Sequence, residues 1–149
     1  MELPQAGGCE CGAVRYEITQ PPTVVYTCHC HGCQRMSSGA FTVAMVLPPN
    51  AFKLLQGQPV AIQRTAESGR VMSRWVCANC GSWICVTPVG PGPESTRNVR
   101  SGSLDDTSWL RPTVHFWTCY KQPWVALPEG GQVFETQPAD LPAFLRSFS

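Results

Sequence analysis

Neither sign of charge is in excess in this sequence. Lys and Arg total 11 and Asp and Glu 10, a formal charge of +1, where a nucleic-acid binder normally carries a basic excess or stripe. Nucleic-acid binding is therefore not expected. Long apolar runs are missing as well: no window approaches the roughly 18 apolar residues of a membrane span, and no membrane partner is expected. The opening residues Met1-Glu2-Leu3-Pro4 show neither the basic stretch nor the apolar core of a secretory signal. Internal repeats and low-complexity tracts are absent. Charged residues are scarce at 14%, yet hydrophobic ones reach 43%, which excludes a disordered chain. What remains is a soluble, cytoplasmic chain whose 149 residues suit one domain, 1–149.

Turn-formers are plentiful, with 13 Gly and 14 Pro. The longest stretch that reads as structureless is Thr87 to Asn98. Val14, Tyr16 and Ile18 alternate with Arg15 and Glu17, the period-two pattern of a half-buried strand. Phe41 to Leu47, Val60 to Gln63, Val71 to Val76, Trp83 to Thr87, Asn98 to Leu104 and Thr113 to Thr118 read as further strands. Their spacing of about ten residues favours an all-β architecture over βαβ units. One short helix is expected at the end, with Asp140 as cap, Pro142 in the first turn, and Leu141, Phe144, Leu145 and Phe148 on one face. A helical turn after Cys33, stopping near Gly39, completes a mainly β domain with little helix.

Nine cysteines are too many for chance and too few for the roughly 8–10% of a disulfide scaffold. Seven fall in three clusters, Cys9-x-Cys11, Cys28-x-Cys30-x-x-Cys33 and Cys77-x-x-Cys80. Cysteines so close in sequence rarely reach bridge geometry with each other, and a reducing compartment disfavours bridges further. A thioredoxin-like pair at Cys77 and Cys80 would need a βαβ setting that the sequence lacks. Metal binding fits better. In an extended segment Cys9 and Cys11 project to one side, while Cys77 and Cys80 suit a tight knuckle relieved by Gly81. Two such pairs supply the four soft ligands of tetrahedral zinc. Spacing does not decide which cluster joins which. Joining the first to the last would close a loop with 65 residues between Cys11 and Cys77.

Cys28, Cys30 and Cys33 are the group that can carry chemistry. One loop holding a metal by three thiolates leaves a fourth position open, as catalytic sites do, unless Cys85, Cys119 or His29 closes it. Such a site is electron-rich and a weak activator of water, but it favours another sulfur and deprotonates a thiol that binds. It suits a small thiol held as a nucleophile.

The motifs also match a family. Gly8-Cys9-Glu10-Cys11-Gly12-Ala13-Val14-Arg15-Tyr16, Cys28-His29-Cys30-x-x-Cys33-Gln34-Arg35, Ser38-Gly39-Ala40-Phe41, Cys77-x-x-Cys80-Gly81-Ser82, Gly102-Ser103-Leu104-Asp105-Asp106 and Arg111-Pro112 with His115-Phe116-Trp117 and Trp124 occur in order. This pattern resembles the glutathione-dependent formaldehyde-activating enzyme family, which also includes the centromere protein V group. The resemblance spans roughly Gly7 to Leu127. It implies a β-tent fold stabilised by zinc. It also implies a structural zinc on Cys9, Cys11, Cys77 and Cys80, and a second, catalytic-type zinc on Cys28, Cys30 and Cys33. The implied activity is addition of glutathione to formaldehyde to give S-hydroxymethylglutathione, a carbon–sulfur lyase reaction. The small-molecule partner would be a thiol or its aldehyde adduct.

Other residues have a functional and a plainer reading. His29 can relay a proton or simply hydrogen-bond locally. Arg35 can offset the anionic cluster or hold a carboxylate of the bound thiol, against a solvated surface arginine. Ser37, Ser38 and Gly39 can present N–H groups to a ligand or merely end a helical turn. Asp105 and Asp106 resemble a carboxylate pair but are expected to cap a turn. His115, Trp117 and Trp124 are expected in the core, as are Cys85 and Cys119. The competing function is a non-catalytic, zinc-stabilised module that binds a protein partner.

Overall fold

The computed structural model describes residues 1–89 and 97–148. Eleven strands alternate with short turns: β1 (Gln5–Gly8), β2 (Arg15–Ile18), β3 (Val24–Cys28), β4 (Thr42–Leu47), β5 (Phe52–Gln56), β6 (Val60–Thr65), β7 (Val71–Val76), β8 (Trp83–Pro88), β9 (Arg97–Arg100), β10 (Val114–Phe116) and β11 (Gln132–Val133). Two short helices accompany them, α1 (His31–Ser37) and α2 (Leu141–Arg146). The strands make a three-stranded sheet β1-β2-β5 and an eight-stranded sheet β11-β10-β3-β4-β9-β8-β7-β6. The mainly β reading holds. Pairing is antiparallel except around β10, which runs parallel to both β3 and β11.

β3 and β4 lie mid-sheet and are covered on both faces, so their sequences are continuous apolar runs rather than alternations. Val25, Met45 and Leu47 face a core shared with Tyr16 and Ile18 of the small sheet. Tyr26, Ala44 and Val46 face the opposite side, where Phe116 and the α2 residues Leu141, Phe144 and Leu145 pack. α2 forms as its sequence dictates: Asp140 Oδ1 accepts the Ala143 N–H at 2.8 Å, and Pro142 occupies the first turn. Phe144 meets Phe116, Phe134 and Phe148 edge-on, at centroid distances of 5.1–6.1 Å.

Several expectations are corrected. β1, β3, β5 and β11 were not among the strands expected. The strand expected over Asn98 to Leu104 ends at Arg100 and continues as a 3-10 turn, Ser101–Ser103. α1 begins before Cys33 rather than after it, because Cys30 caps it, and it ends at Ser38 in the left-handed region (φ 51°). The stretch expected to be structureless starts in β8 and ends in β9, and 90–96 lie outside the described residues. No helix among the described residues is long and apolar enough to cross a membrane.

Candidate metal centres and the cavity beside them

The chain returns on itself to join its first and last cysteine pairs. Cys9 and Cys11 lie in the β1–β2 connection, and Cys77 and Cys80 in the β7–β8 connection. All four sulfurs lie within 4.8 Å of one another. Cys9 and Cys11 approach to 3.5 Å, and Cys11 and Cys77 to 3.8 Å. Four sulfurs at about 2.3 Å from a tetrahedral zinc are about 3.8 Å apart, so the donor set fits that ion. The first pair converges by turning, not by extension as expected. Gly12 N–H donates to the Cys9 carbonyl at 3.1 Å, with Gly12 at φ +78°. The second pair is the anticipated knuckle, closed by Gly81 N–H on the Cys77 carbonyl at 2.9 Å. The Ser82 hydroxyl, with backbone N–H groups of Ser82 and Cys11, brings Cys80 down to about 6, towards the thiolate that a metal needs.

Cys28, Cys30 and Cys33 form a second cluster, likewise within 4.8 Å and buried throughout. The end of β3 supplies the first and the start of α1 the other two. Cys30 Sγ accepts the Cys33 N–H at 3.3 Å, which folds both sulfurs onto one side. Hydrogen bonds from Cys30 and Cys33, followed by burial, push the Cys28 thiol up, whereas the Cys28 and Cys30 thiols pull Cys33 down. Three crowded sulfurs without a cation cannot all be thiolates. A divalent ion removes that conflict.

Among the described residues no fourth His, Cys, Asp or Glu joins the triplet. His29 was one candidate to close it, but it does not join the cluster, and its Nδ1 is buried without a hydrogen-bond partner. Its Nε2 meets the Thr27 hydroxyl at 3.0 Å, and that hydroxyl meets His115 Nδ1 at 2.7 Å. Burial holds His29 down at about 4 and lowers His115 as well, so both rings are neutral. Cys85 is a buried core residue whose sulfur accepts from Arg97 at 3.6 Å. Cys119, expected in the core, is exposed because it sits on a surface 3-10 turn, Thr118–Tyr120.

The triplet opens into a cavity of about 160 Å³. Its walls are Tyr26, Val46, Met72, Trp83, Phe116, Trp117 and the α2 leucines, and Arg64, Arg70 and Arg100 bring cationic groups to it, with Glu67 as the acidic one. Arg64 lies over Gly32, where an added Cβ would come within 2.8 Å of the guanidinium. Arg35, the arginine singled out in the sequence, is exposed and lines a shallower depression beside the cavity, with His31, Met36 and Arg64. None of the three cavity arginines was found from the sequence, because no local spacing links them to the cysteines. Trp117 lines the cavity and His115 is buried, but Trp124, expected to pack, is 74% exposed. Asp106 caps a turn through the Ser108 N–H at 2.9 Å. Asp105 instead forms a two-pronged ion pair with Arg15. Ser37 and Ser38 end α1, the plainer of their two readings.

A sequence model described as "glutathione-dependent formaldehyde-activating enzyme" matches residues 4–120, most of the chain. The chain belongs to that family. The family's name describes an activity on formaldehyde that depends on glutathione. The fold is also similar to the crystal structure of a Rhodobacter sphaeroides protein, with a TM-score of 0.52 and 19% identity. That match covers 72% of this chain and 91% of the other. At that identity the likeness speaks for the fold.

Proposed function

We propose that the protein is a zinc-dependent carbon–sulfur lyase that joins a small glutathione-like thiol to formaldehyde, or cleaves the adduct, at Cys28, Cys30 and Cys33. The observation that carries this reading is the triplet itself: three converging sulfurs without a fourth protein ligand among the described residues, facing a cavity. A zinc ion held there would supply the Lewis acidity that keeps a visiting sulfur deprotonated at neutral pH. The chain's own residues do the rest. Arg64 and Arg70 attract the carboxylates of the thiol, and Glu67 faces its ammonium group. Arg35, beside the same opening, assists at the outer end. Trp83, Phe116 and Trp117 keep bulk water from the reacting atoms. The sulfur forms a bond to the formaldehyde carbon, the carbonyl π pair moves to oxygen, and that oxygen takes up the proton lost by the thiol. The product is an S-hydroxymethyl adduct. Holding both reactants side by side lowers the entropic barrier.

In this reading the chain carries two zinc ions as one domain. The ion on Cys9, Cys11, Cys77 and Cys80 is structural. All nine cysteines are free, which suits a reducing, cytoplasmic setting. Closure of the triplet by Cys85 or Cys119 would favour the alternative of a non-catalytic, protein-binding module; among the described residues neither joins it. Cys30→Ser in the zinc-loaded protein tests the proposal. Adduct formation from glutathione and formaldehyde is expected to fall to the uncatalysed rate while the thermal transition is retained. Undiminished turnover would refute the assignment.

A further inference from the structure

We propose that Arg100, acting through Thr42, is the built-in counter-charge and positioning residue of the Cys28–Cys30–Cys33 centre and sets its affinity for a divalent ion. This rests on the reading of that triplet as a metal site.

The register of three adjacent strands places these residues together. Cys28 of β3 is opposite Thr42 of β4, and Ala44, two residues along β4, is opposite Arg100 of β9. Side chains two apart on a strand share a face, so Cys28, Thr42 and Arg100 all project towards the cavity side. Arg100 Nη1 donates to Thr42 Oγ1 at 3.1 Å. Its guanidinium lies over the Trp83 ring, 3.8 Å from the centroid, which fixes the plane of the group. Only 9% of Arg100 is exposed.

A guanidinium so deeply placed is costly without a negative partner. Among the described residues the ion pairs are Arg15–Asp105 and Lys53–Glu17, and no carboxylate meets Arg100. Its Nε is buried without an acceptor. Three thiolates around a divalent ion leave one negative charge, and Arg100 lines the same cavity as those sulfurs. Of the cavity's three arginines Arg100 is the buried one, so its charge is the one that needs a partner there.

Thr42 is the link. Its oxygen accepts from Arg100, which leaves the hydroxyl proton free to point at a sulfur. The β3–β4 register sets Thr42 directly opposite Cys28, so that proton has a sulfur of the triplet beside it. Groups that orient and polarise metal ligands from behind typically change metal affinity by about 10–100-fold when removed.

The test is a zinc competition titration against a chromophoric chelator, resolving both sites in the full chain. Arg100→Met is expected to weaken zinc at the triplet by about 10–100-fold while the four-cysteine site keeps its affinity. Arg100→Lys should recover most of that loss. Thr42→Val should weaken the same site and Thr42→Ser should not. Triplet affinity unchanged in Arg100→Met and Thr42→Val would overturn the proposal, as would Arg100→Lys binding as weakly as Arg100→Met. Retained zinc at the four-cysteine site reports that a variant is folded. Should Arg100→Met lose it, the Thr42 pair and Arg100→Lys decide the question. A wild-type chain that takes up zinc only at the four-cysteine site would instead refute the metal reading of the triplet.

Discussion

Cys11 and Cys77 stand 66 positions apart in the chain, and their sulfurs lie 3.8 Å apart in the fold. That contact ties the turn after β1 to the turn after β7, linking the small sheet to the far half of the large one. Structural zinc in small domains is worth on the order of 10–16 kcal/mol, as much as the whole net stability of about 5–15 kcal/mol. Chelation strong enough to empty both cysteine clusters should therefore abolish the cooperative thermal transition. A calorimetric scan of metal-free protein with an unchanged Tm would contradict a structural ion.

The Thr27 hydroxyl has one proton and serves two imidazoles, donating to one and accepting from the other. Thr27→Val keeps the shape and removes both partners, leaving a further ring nitrogen of His29 and of His115 unpaired in the interior. Each such loss costs about 1–3 kcal/mol. Urea unfolding should show a lower midpoint with an unchanged slope. A stability equal to that of the parent would mean that the rings find other partners.

Asp105 forms its two-pronged pair with Arg15 on the surface, with both side chains at least a third exposed. The Arg15 guanidinium holds the carboxyl below its ordinary value of 3.8. A depressed carboxylate stabilises the fold above its unfolded pKa, and that contribution disappears as pH falls through the folded one. Solvent screening limits it to about 0.2–1 kcal/mol. The stability difference between parent and Asp105→Asn should be constant near neutrality and should close below pH 3.8. A difference that persists or widens in stronger acid would contradict the pairing.

The sequence made the metal chemistry legible because knuckle spacing is local: two or three residues decide where neighbouring sulfurs can point. It left open which clusters meet, since that depends on contacts across tens of residues. Arg64, Arg70 and Arg100 were invisible for the same reason, while Arg35, two residues after Cys33, proved peripheral to the cavity. β3 escaped notice because Val24 to Cys28 is buried on both faces and carries no alternation. β5 escaped because Leu54 and Leu55 are both exposed, so it has no inward–outward rhythm. Cys85 and Cys119 are the same residue type with opposite fates, set by a central strand in one case and a surface turn in the other.

Cadmium-113 magnetic resonance of the doubly substituted protein tests the central claim most directly. Two resonances are expected, one from the four-sulfur site and one from the triplet. Adding glutathione should move the triplet resonance towards the four-sulfur position and leave the other in place. A triplet resonance that ignores the thiol, or that already reports four sulfurs without it, would contradict an open three-cysteine centre.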